Sequence, residues 1–237
     1  MLFLHGIGGN RTNWSHQLPF FSAKFKAAAW DARGYGESED YDGPLQFDVF
    51  SADLLRVLDF FGEKKAHIVG LSMGGRIARN FALHHPDRVK SLVLANTTPG
   101  FASLGAEGVK RFVEERKTLD PEAAAAKLIS AKARPGAREE LVASLRAVHR
   151  ESYLKTVEAS AAQDIASPLE NIRAPTLVIT SEDDRLYTPD IARDMARRIA
   201  GAQLAVIEGA GHLSNLEQPE RFNRLVLDFL ENQETSQ

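Results

Sequence analysis

A single serine stands where a strand pattern passes into a helix pattern. It is the centre of Gly70-Leu71-Ser72-Met73-Gly74, which follows a short apolar run and precedes a segment with helical periodicity. Gly-x-Ser-x-Gly in this setting predicts a nucleophile elbow, a tight turn that lifts the serine hydroxyl clear of a sheet. We therefore expect strained backbone angles at Ser72 and no room for a side chain at Gly70 or Gly74. The alternative is an ordinary glycine-rich turn of an α/β protein.

A serine hydroxyl needs a histidine to take its proton and a carboxylate to orient that histidine. Asp183 and Asp184 follow a strand predicted over residues 176–180, and His212 follows one predicted over residues 202–207. Because parallel strands end on the same side of a sheet, we expect these loops to converge on Ser72. Considered one at a time, the aspartates could form a solvated turn, and His212 could be a loop histidine that bonds to the backbone. Together they predict a Ser-Asp-His triad with either aspartate as the acid.

The negative oxygen that forms during acyl transfer needs backbone N–H donors. One candidate is Met73, directly after the serine and at a helix N-terminus. The second is expected from the glycine-rich turn over residues 5–9, with Ile7 preferred and Gly8 as the alternative. His5 is expected to shape this turn, which could also be a simple connection.

Strand and helix patterns alternate along most of the chain, which predicts a parallel, doubly wound sheet. From about residue 100 to residue 167 only helical patterns occur, over residues 107–118, 121–131, 138–148 and 151–162. We therefore predict an α/β core formed by residues 1–100 and 168–237, with a helical cap, residues 101–167, over the carboxyl ends of the strands. The alternative is a helical layer on one face of the sheet. Because the chain opens inside a strand pattern, we also expect N-terminal edge strands to be missing.

Composition narrows the classes of function. The 237 residues carry a formal charge of −3 and include no cysteine, which excludes disulfides and thiolate chemistry. The chain has no excess of basic residues that would suggest nucleic acid as a partner, and no apolar run long enough to span a membrane. We expect a cytoplasmic monomer or homodimer. No metal-binding motif is present and no cofactor is implied. The cap carries Arg134, Arg138, Arg146 and Arg150, any of which could receive a substrate carboxylate or simply form a solvated face.

These motifs resemble the α/β-hydrolase superfamily over nearly the whole chain outside the cap. The segments that carry the resemblance are residues 5–9 with Trp14, 31–38, 70–75, 181–184 with Pro189, and 211–212. In that family the acid is the fourth residue of a Gly-x-x-Asp loop, which implies Asp184, although Ser181 stands in place of the glycine. The resemblance also implies substrate contacts at Gly6, Gly8, Trp14 and Leu213.

Within the superfamily, residues 70–75, 94–97 and 212–215 are most similar to 3-oxoadipate enol-lactonases and related small esterases and lactonases. This likeness implies hydrolysis of a carboxylic ester or lactone through an acyl-enzyme. Carbon–carbon hydrolases of ring-cleavage products share the elbow but usually have tryptophan after the histidine, where this chain has Leu213. They are the first alternative. A non-catalytic small-molecule receptor on the same fold is the second.

Overall fold

The computed structural model describes residues 1–101, 105–118, 120–162 and 168–234. Six parallel strands form one sheet in the order β2-β1-β3-β4-β5-β6. This confirms the predicted fold class. The strand bounds are β1 Leu2–Leu4, β2 Ala28–Ala29, β3 Ala66–Leu71, β4 Val89–Ala95, β5 Thr176–Ser181 and β6 Gln203–Ile207.

Ten α-helices are seen in the described part of the chain, and most lie within a few residues of their predicted bounds. They are α1 Gln17–Ser22, α2 Val49–Phe60, α3 Met73–His84, α4 Gly105–Lys117, α5 Pro121–Leu128, α6 Ala137–Arg146, α7 Arg150–Ala162, α8 Pro189–Arg198, α9 Ser214–Glu217 and α10 Pro219–Glu234. None of these described helices has the length and apolar character needed to cross a lipid bilayer.

The centre of the sheet is apolar on both faces, as expected for parallel strands covered by helices on each side. Ile68 and Leu92 belong to a core layer that includes Phe50 and Ile77 of helices α2 and α3. The neighbouring strand residues point the other way, into a second layer with the α10 side chains. Because β1, β3, β4 and β5 are held rigidly between these layers, the loops at their carboxyl ends have fixed starting points.

Four consecutive helices, α4 to α7, lie between β4 and β5. They correspond to the insertion predicted over residues 101–167, of which residues 102–104, 119 and 163–167 lie outside the described residues. Asp120 begins α5 by accepting the N–H groups of Glu122 and Ala123, with Pro121 in the first turn. Several side chains of these helices face the carboxyl edge of the sheet, which is where the candidate site lies.

Candidate active site

The turn around Ser72 has the strain that its sequence predicts. Ser72 has φ 55° and ψ −115°, in a region that side-chain-bearing residues rarely adopt. A Cβ on Gly70 would lie 2.2 Å from the carbonyl oxygen of Gly74, and one on Gly74 would lie 2.1 Å from that of Leu4. The expected strain and the expected need for glycine at both positions are confirmed. The turn therefore holds Ser72 in one orientation between β3 and α3.

A serine, a histidine and an aspartate from three distant loops meet at the carboxyl edge of the sheet. The Nε2 atom of His212 lies 2.9 Å from the hydroxyl oxygen of Ser72, and its Nδ1 lies 3.0 Å from Oδ2 of Asp184. All three side chains are buried. Because the carboxylate can only accept, Nδ1 of His212 carries a hydrogen, and Nε2 is left to accept the serine proton. This arrangement can activate a hydroxyl as a nucleophile.

Asp184 is held in an environment that keeps it charged. Its Oδ1 accepts the N–H groups of Leu186 and Tyr187 at 2.9 and 3.0 Å, and its Oδ2 also accepts the amide of Asn96 at 3.0 Å. Burial opposes ionisation, but His212 and these donors together hold the pKa of Asp184 below its ordinary value. Asp183 instead accepts the hydroxyl of Ser130 at 2.7 Å. The geometry therefore favours Asp184 as the acid.

Asn96 is a site residue that the sequence reasoning did not identify. It lies directly after β4 with φ 44°, another left-handed conformation. Its amide donates to Asp184 and, at 2.9 Å, to the hydroxyl of Ser181, while its carbonyl accepts the hydroxyl of Ser214 at 2.6 Å. It therefore ties the aspartate loop to the histidine loop. Its place at the end of a buried strand beside the β3 elbow was the available signal.

The two expected oxyanion donors belong to different elements beside Ser72, the N-terminus of α3 and the turn after β1. Met73 is the first residue of α3, so its N–H lacks a helical acceptor. Ile7 lies in the turn after β1, which is closed by a 3.0 Å hydrogen bond from the N–H of Gly9 to the carbonyl of Gly6. Both Ile7 and Met73 border the cavity above Ser72. Their role as donors stays a prediction.

His5 supports this turn from below, as expected. Its Nε2 accepts the N–H of Ala32 at 3.1 Å, so its Nδ1 carries the hydrogen and donates to the carbonyl of Gly6 at 2.8 Å. This bonding requires the neutral ring. Burial lowers the pKa of His5 to about 4.

We expect His5 to make the fold sensitive to acid. Because the pKa of His5 is about 4 in the fold and about 6.5 in an unfolded chain, the unfolded state binds more protons between these values. The free energy of unfolding should therefore be retained above pH 6.5 and fall on acidification, with His5 contributing about 2 kcal/mol of loss between pH 7 and pH 5. Urea unfolding of the parent and of His5→Gln at both pH values measures this.

His67 provides a comparison, because burial also lowers its pKa to about 4 and it lies at the opposite end of the sheet. His5→Gln should remove only the part of the acid loss due to His5, and His67→Gln should remove a separate part. A His5→Gln protein that loses as much stability on acidification as the parent would contradict the assignment.

Glu217 is a buried carboxylate that fastens the loop carrying His212. Its Oε2 accepts the N–H groups of Gly211 and Ser130, both at 2.8 Å, and its Oε1 accepts the N–H of Leu213 at 2.9 Å. Burial raises the pKa of Glu217, while these N–H groups oppose the rise. The N–H of His212 donates to the carbonyl of Leu128 at 2.7 Å. The histidine loop is thus attached to the segment after α5.

A cavity opens above Ser72 between the sheet edge and helices α4 to α7. Its described lining is mainly apolar and aromatic, and the charged or titratable side chains in it are Arg76, Arg116, Tyr187 and His212. Gly6 and Leu213, two of the residues expected to contact the substrate, border it, and that role stays a prediction. The apolar lining comes from Ile7, Leu71, Met73, Phe101, Phe112, Leu128, Leu141, Leu145, Leu186 and Leu213.

Two expected substrate contacts need correction. Trp14 is fully buried and packs on Phe3 and Phe222, with ring centroids 5.0 and 6.0 Å apart, so it is a core residue and does not border the cavity. A Cβ on Gly8 would lie 2.6 Å from the side chain of Leu145, and Gly8 does not border the cavity either. It is a position of close packing against α6.

The four arginines singled out between β4 and β5 do not border this cavity. Each bonds to a group within the protein. Arg134 pairs with Glu140, Arg138 and Arg146 pair with Glu122, and Arg150 donates to the carbonyl of Lys117.

Among the residues that the structure describes, no group of three or more histidine, aspartate or glutamate side chains is arranged to hold a metal ion.

A parallel sheet with a strained Gly-x-Ser-x-Gly turn at its carboxyl edge, and a histidine within reach of that serine, defines an α/β hydrolase. Comparison with known proteins agrees. Residues 1–225 match the Alpha/beta hydrolase family, and the chain belongs to that family.

Relatives and solved structures match almost the whole chain. It is 29% identical to 3-oxoadipate enol-lactonase 2 of Acinetobacter baylyi, over 95% of this chain and 86% of that protein. It is 32% identical to a 2-hydroxy-6-oxononadienedioate/2-hydroxy-6-oxononatrienedioate hydrolase of Burkholderia vietnamiensis, over 97% of this chain and 86% of that protein. The crystal structure of the enol-lactonase from Burkholderia xenovorans superposes with a TM-score of 0.86 at 28% identity, covering 97% of this chain and 90% of that chain. The expected resemblance is confirmed.

Proposed function

We propose that this hydrolase cleaves a carboxylic ester or lactone through an acyl-enzyme formed on Ser72. The observation that carries the proposal is the continuous relay from the Ser72 hydroxyl through His212 to Asp184, with heavy-atom distances of 2.9 and 3.0 Å. All three side chains are buried, which strengthens each charge interaction in the relay. The enol-lactonases among the relatives make a lactone the first substrate to test.

In the first half of the reaction, Ser72 Oγ attacks the carbonyl carbon while its proton passes to Nε2 of His212. Asp184 holds the ring in position and stabilises the imidazolium that forms. The N–H groups of Met73 and Ile7 donate to the negative oxygen. When the intermediate collapses, the carbon–oxygen bond of the ester breaks and His212 returns its proton to the leaving oxygen. With a lactone, this new hydroxyl stays attached to the acyl group.

In the second half, His212 takes a proton from water, and the hydroxide attacks the acyl carbon. The bond to Ser72 Oγ breaks, the serine recovers its proton from His212, and the carboxylic acid leaves. The net reaction consumes one water for each ester or lactone bond. No cofactor takes part in this scheme.

Helices α4 to α7 act in this proposal as a cap that covers the acyl group. Phe112 of α4, Leu141 and Leu145 of α6 and Ser160 of α7 border the cavity that contains Ser72. Side chains of this insertion therefore meet the part of the substrate that differs between one ester and another. The cap is accordingly the part of the chain that selects among substrates.

The relatives that act on ring-cleavage products support one competing function, carbon–carbon bond hydrolysis by the same three residues. Leu213 after the histidine disfavours it, because those enzymes usually have tryptophan there. A direct comparison separates the two. We expect 3-oxoadipate enol-lactone to be hydrolysed with a kcat/KM at least about 100-fold above that for a 2-hydroxy-6-oxo dienoate, since a difference of about 3 kcal/mol in transition-state binding is enough. The reverse preference would establish the carbon–carbon hydrolase instead.

A further inference from the structure

Two arginines border the cavity above Ser72, and they are bound in different ways. Arg76 of α3 is buried with its guanidinium over the rings of Phe47 and Phe101, at 4.8 and 4.4 Å from their centroids. It also donates to the carbonyl of Ser160 at 3.1 Å, which joins α3 to α7. Arg76 therefore serves to hold the walls of the cavity together.

Arg116 of α4 is half-buried, and its guanidinium lies 3.7 Å from the ring centroid of Phe112. Within the described residues its side chain makes one hydrogen bond, to the carbonyl of Phe112 at 3.2 Å, and it pairs with no carboxylate. By contrast, three of the five other arginines within residues 101–167, namely Arg134, Arg138 and Arg146, pair with glutamates. A guanidinium has five N–H donors, so most of those on Arg116 are available to a ligand.

The cavity itself provides no compensating negative side chain. No aspartate or glutamate is among the described residues that border it, although the chain as a whole has a formal charge of −3. Burial lowers the pKa of Arg116, because a partly buried guanidinium is less well solvated than one in water. A cation in such surroundings is stabilised when an anion binds beside it, and the planar guanidinium matches a carboxylate with two parallel hydrogen bonds.

We propose that Arg116 binds a carboxylate carried by the substrate, and that the preferred ester or lactone is therefore an anionic one. The inference rests on the proposed function, because it assigns a specificity residue to the same site. The carboxylate would lie against the cap at α4, while the carbonyl to be cleaved lies over Ser72. Phe112 keeps the guanidinium plane in position through its ring, which reduces the entropy lost when the anion binds.

Two matched esters test this proposal. Mono-p-nitrophenyl glutarate has a free carboxylate, and methyl p-nitrophenyl glutarate is the neutral analogue with the same leaving group. We expect Arg116→Gln to lower the ratio of kcat/KM for the anionic ester to that for the neutral one by about 10- to 100-fold, mainly through KM. Arg116→Lys, which keeps the charge but loses the fork, should give an intermediate ratio. Arg111→Gln removes an exposed arginine from the same helix and should leave the ratio unchanged.

An equal loss for both esters in Arg116→Gln would make Arg116 a structural residue and overturn the proposal, as would an unchanged ratio. Calorimetric binding of glutarate keeps this question separate from catalysis. Should neither ester be turned over, ester hydrolysis fails, but glutarate binding that weakens at least about tenfold in Arg116→Gln and not in Arg111→Gln still supports the anion site. Equal glutarate binding by the parent and Arg116→Gln, or none by the parent, counts against it.

Discussion

Replacing Ser72 with alanine is expected to lower kcat/KM for p-nitrophenyl acetate at least about 10³-fold, because the hydroxyl that forms the acyl-enzyme is lost. The strained turn should survive the change. Alanine keeps the Cβ of Ser72 and removes only the oxygen that faces His212. The measurement is initial-rate release of p-nitrophenolate, together with a thermal melt of each protein.

The matched control is Ser91→Ala, which also removes a buried hydroxyl but from β4, where it bonds to His67 at 2.9 Å. Its esterase rate should stay within a few-fold of the parent. Losing one hydrogen bond away from the active site changes the free energy of unfolding by about 1 kcal/mol and leaves the reacting atoms untouched. A Ser72→Ala protein that keeps the parent rate would favour the receptor alternative. It would show that the hydroxyl does not react.

The elbow and its partners were predictable because their constraints are local or topological. Gly70 is required by a backbone contact within the turn itself, and Gly74 by the carbonyl of Leu4 on the neighbouring parallel strand β1. The meeting of Asp184 and His212 with Ser72 follows from parallel strands ending on the same edge, which the strand pattern alone indicates. The sequence could not choose between Asp183 and Asp184 from the residues themselves. That choice depends on which side chain turns inward.

Residues whose role depends on packing between distant elements were not predictable in this way. Trp14 follows the glycine-rich turn of residues 5–9 closely in sequence, but its ring faces the core and packs against Phe222 of α10. Among the cap arginines, the sequence cannot tell which one faces the cavity, because glutamates such as Glu122 and Glu140 pair with others only once the helices are assembled. Asn96 acts through hydrogen bonds to loops far along the chain, and Glu217 joins its own loop to the distant Ser130. Periodicity contains no signal for such contacts.

Exchanging Asp184 for asparagine is expected to lower kcat about 10³- to 10⁴-fold with little change in the fold. Each oxygen of Asp184 accepts two donors: Oδ1 accepts the N–H groups of Leu186 and Tyr187, and Oδ2 accepts His212 and Asn96. The two backbone donors favour an oxygen at the first position. The new amide nitrogen then faces Nδ1 of His212.

In that orientation the amide donates to Nδ1, and the hydrogen of the neutral ring moves to Nε2. Because this hydrogen points at Ser72, Nε2 can no longer accept the serine proton. Loss of the negative charge also removes the stabilisation of the imidazolium. Asp183→Asn is the matched control, since the side chain of Asp183 bonds to Ser130 and lies one residue away. Its kcat should remain within a few-fold of the parent, measured on the same ester at pH 7. If Asp183→Asn fell as far as Asp184→Asn, or further, the proton relay would have to run through a different carboxylate from the one that contacts His212, and the order of roles in this site would need to be reassigned.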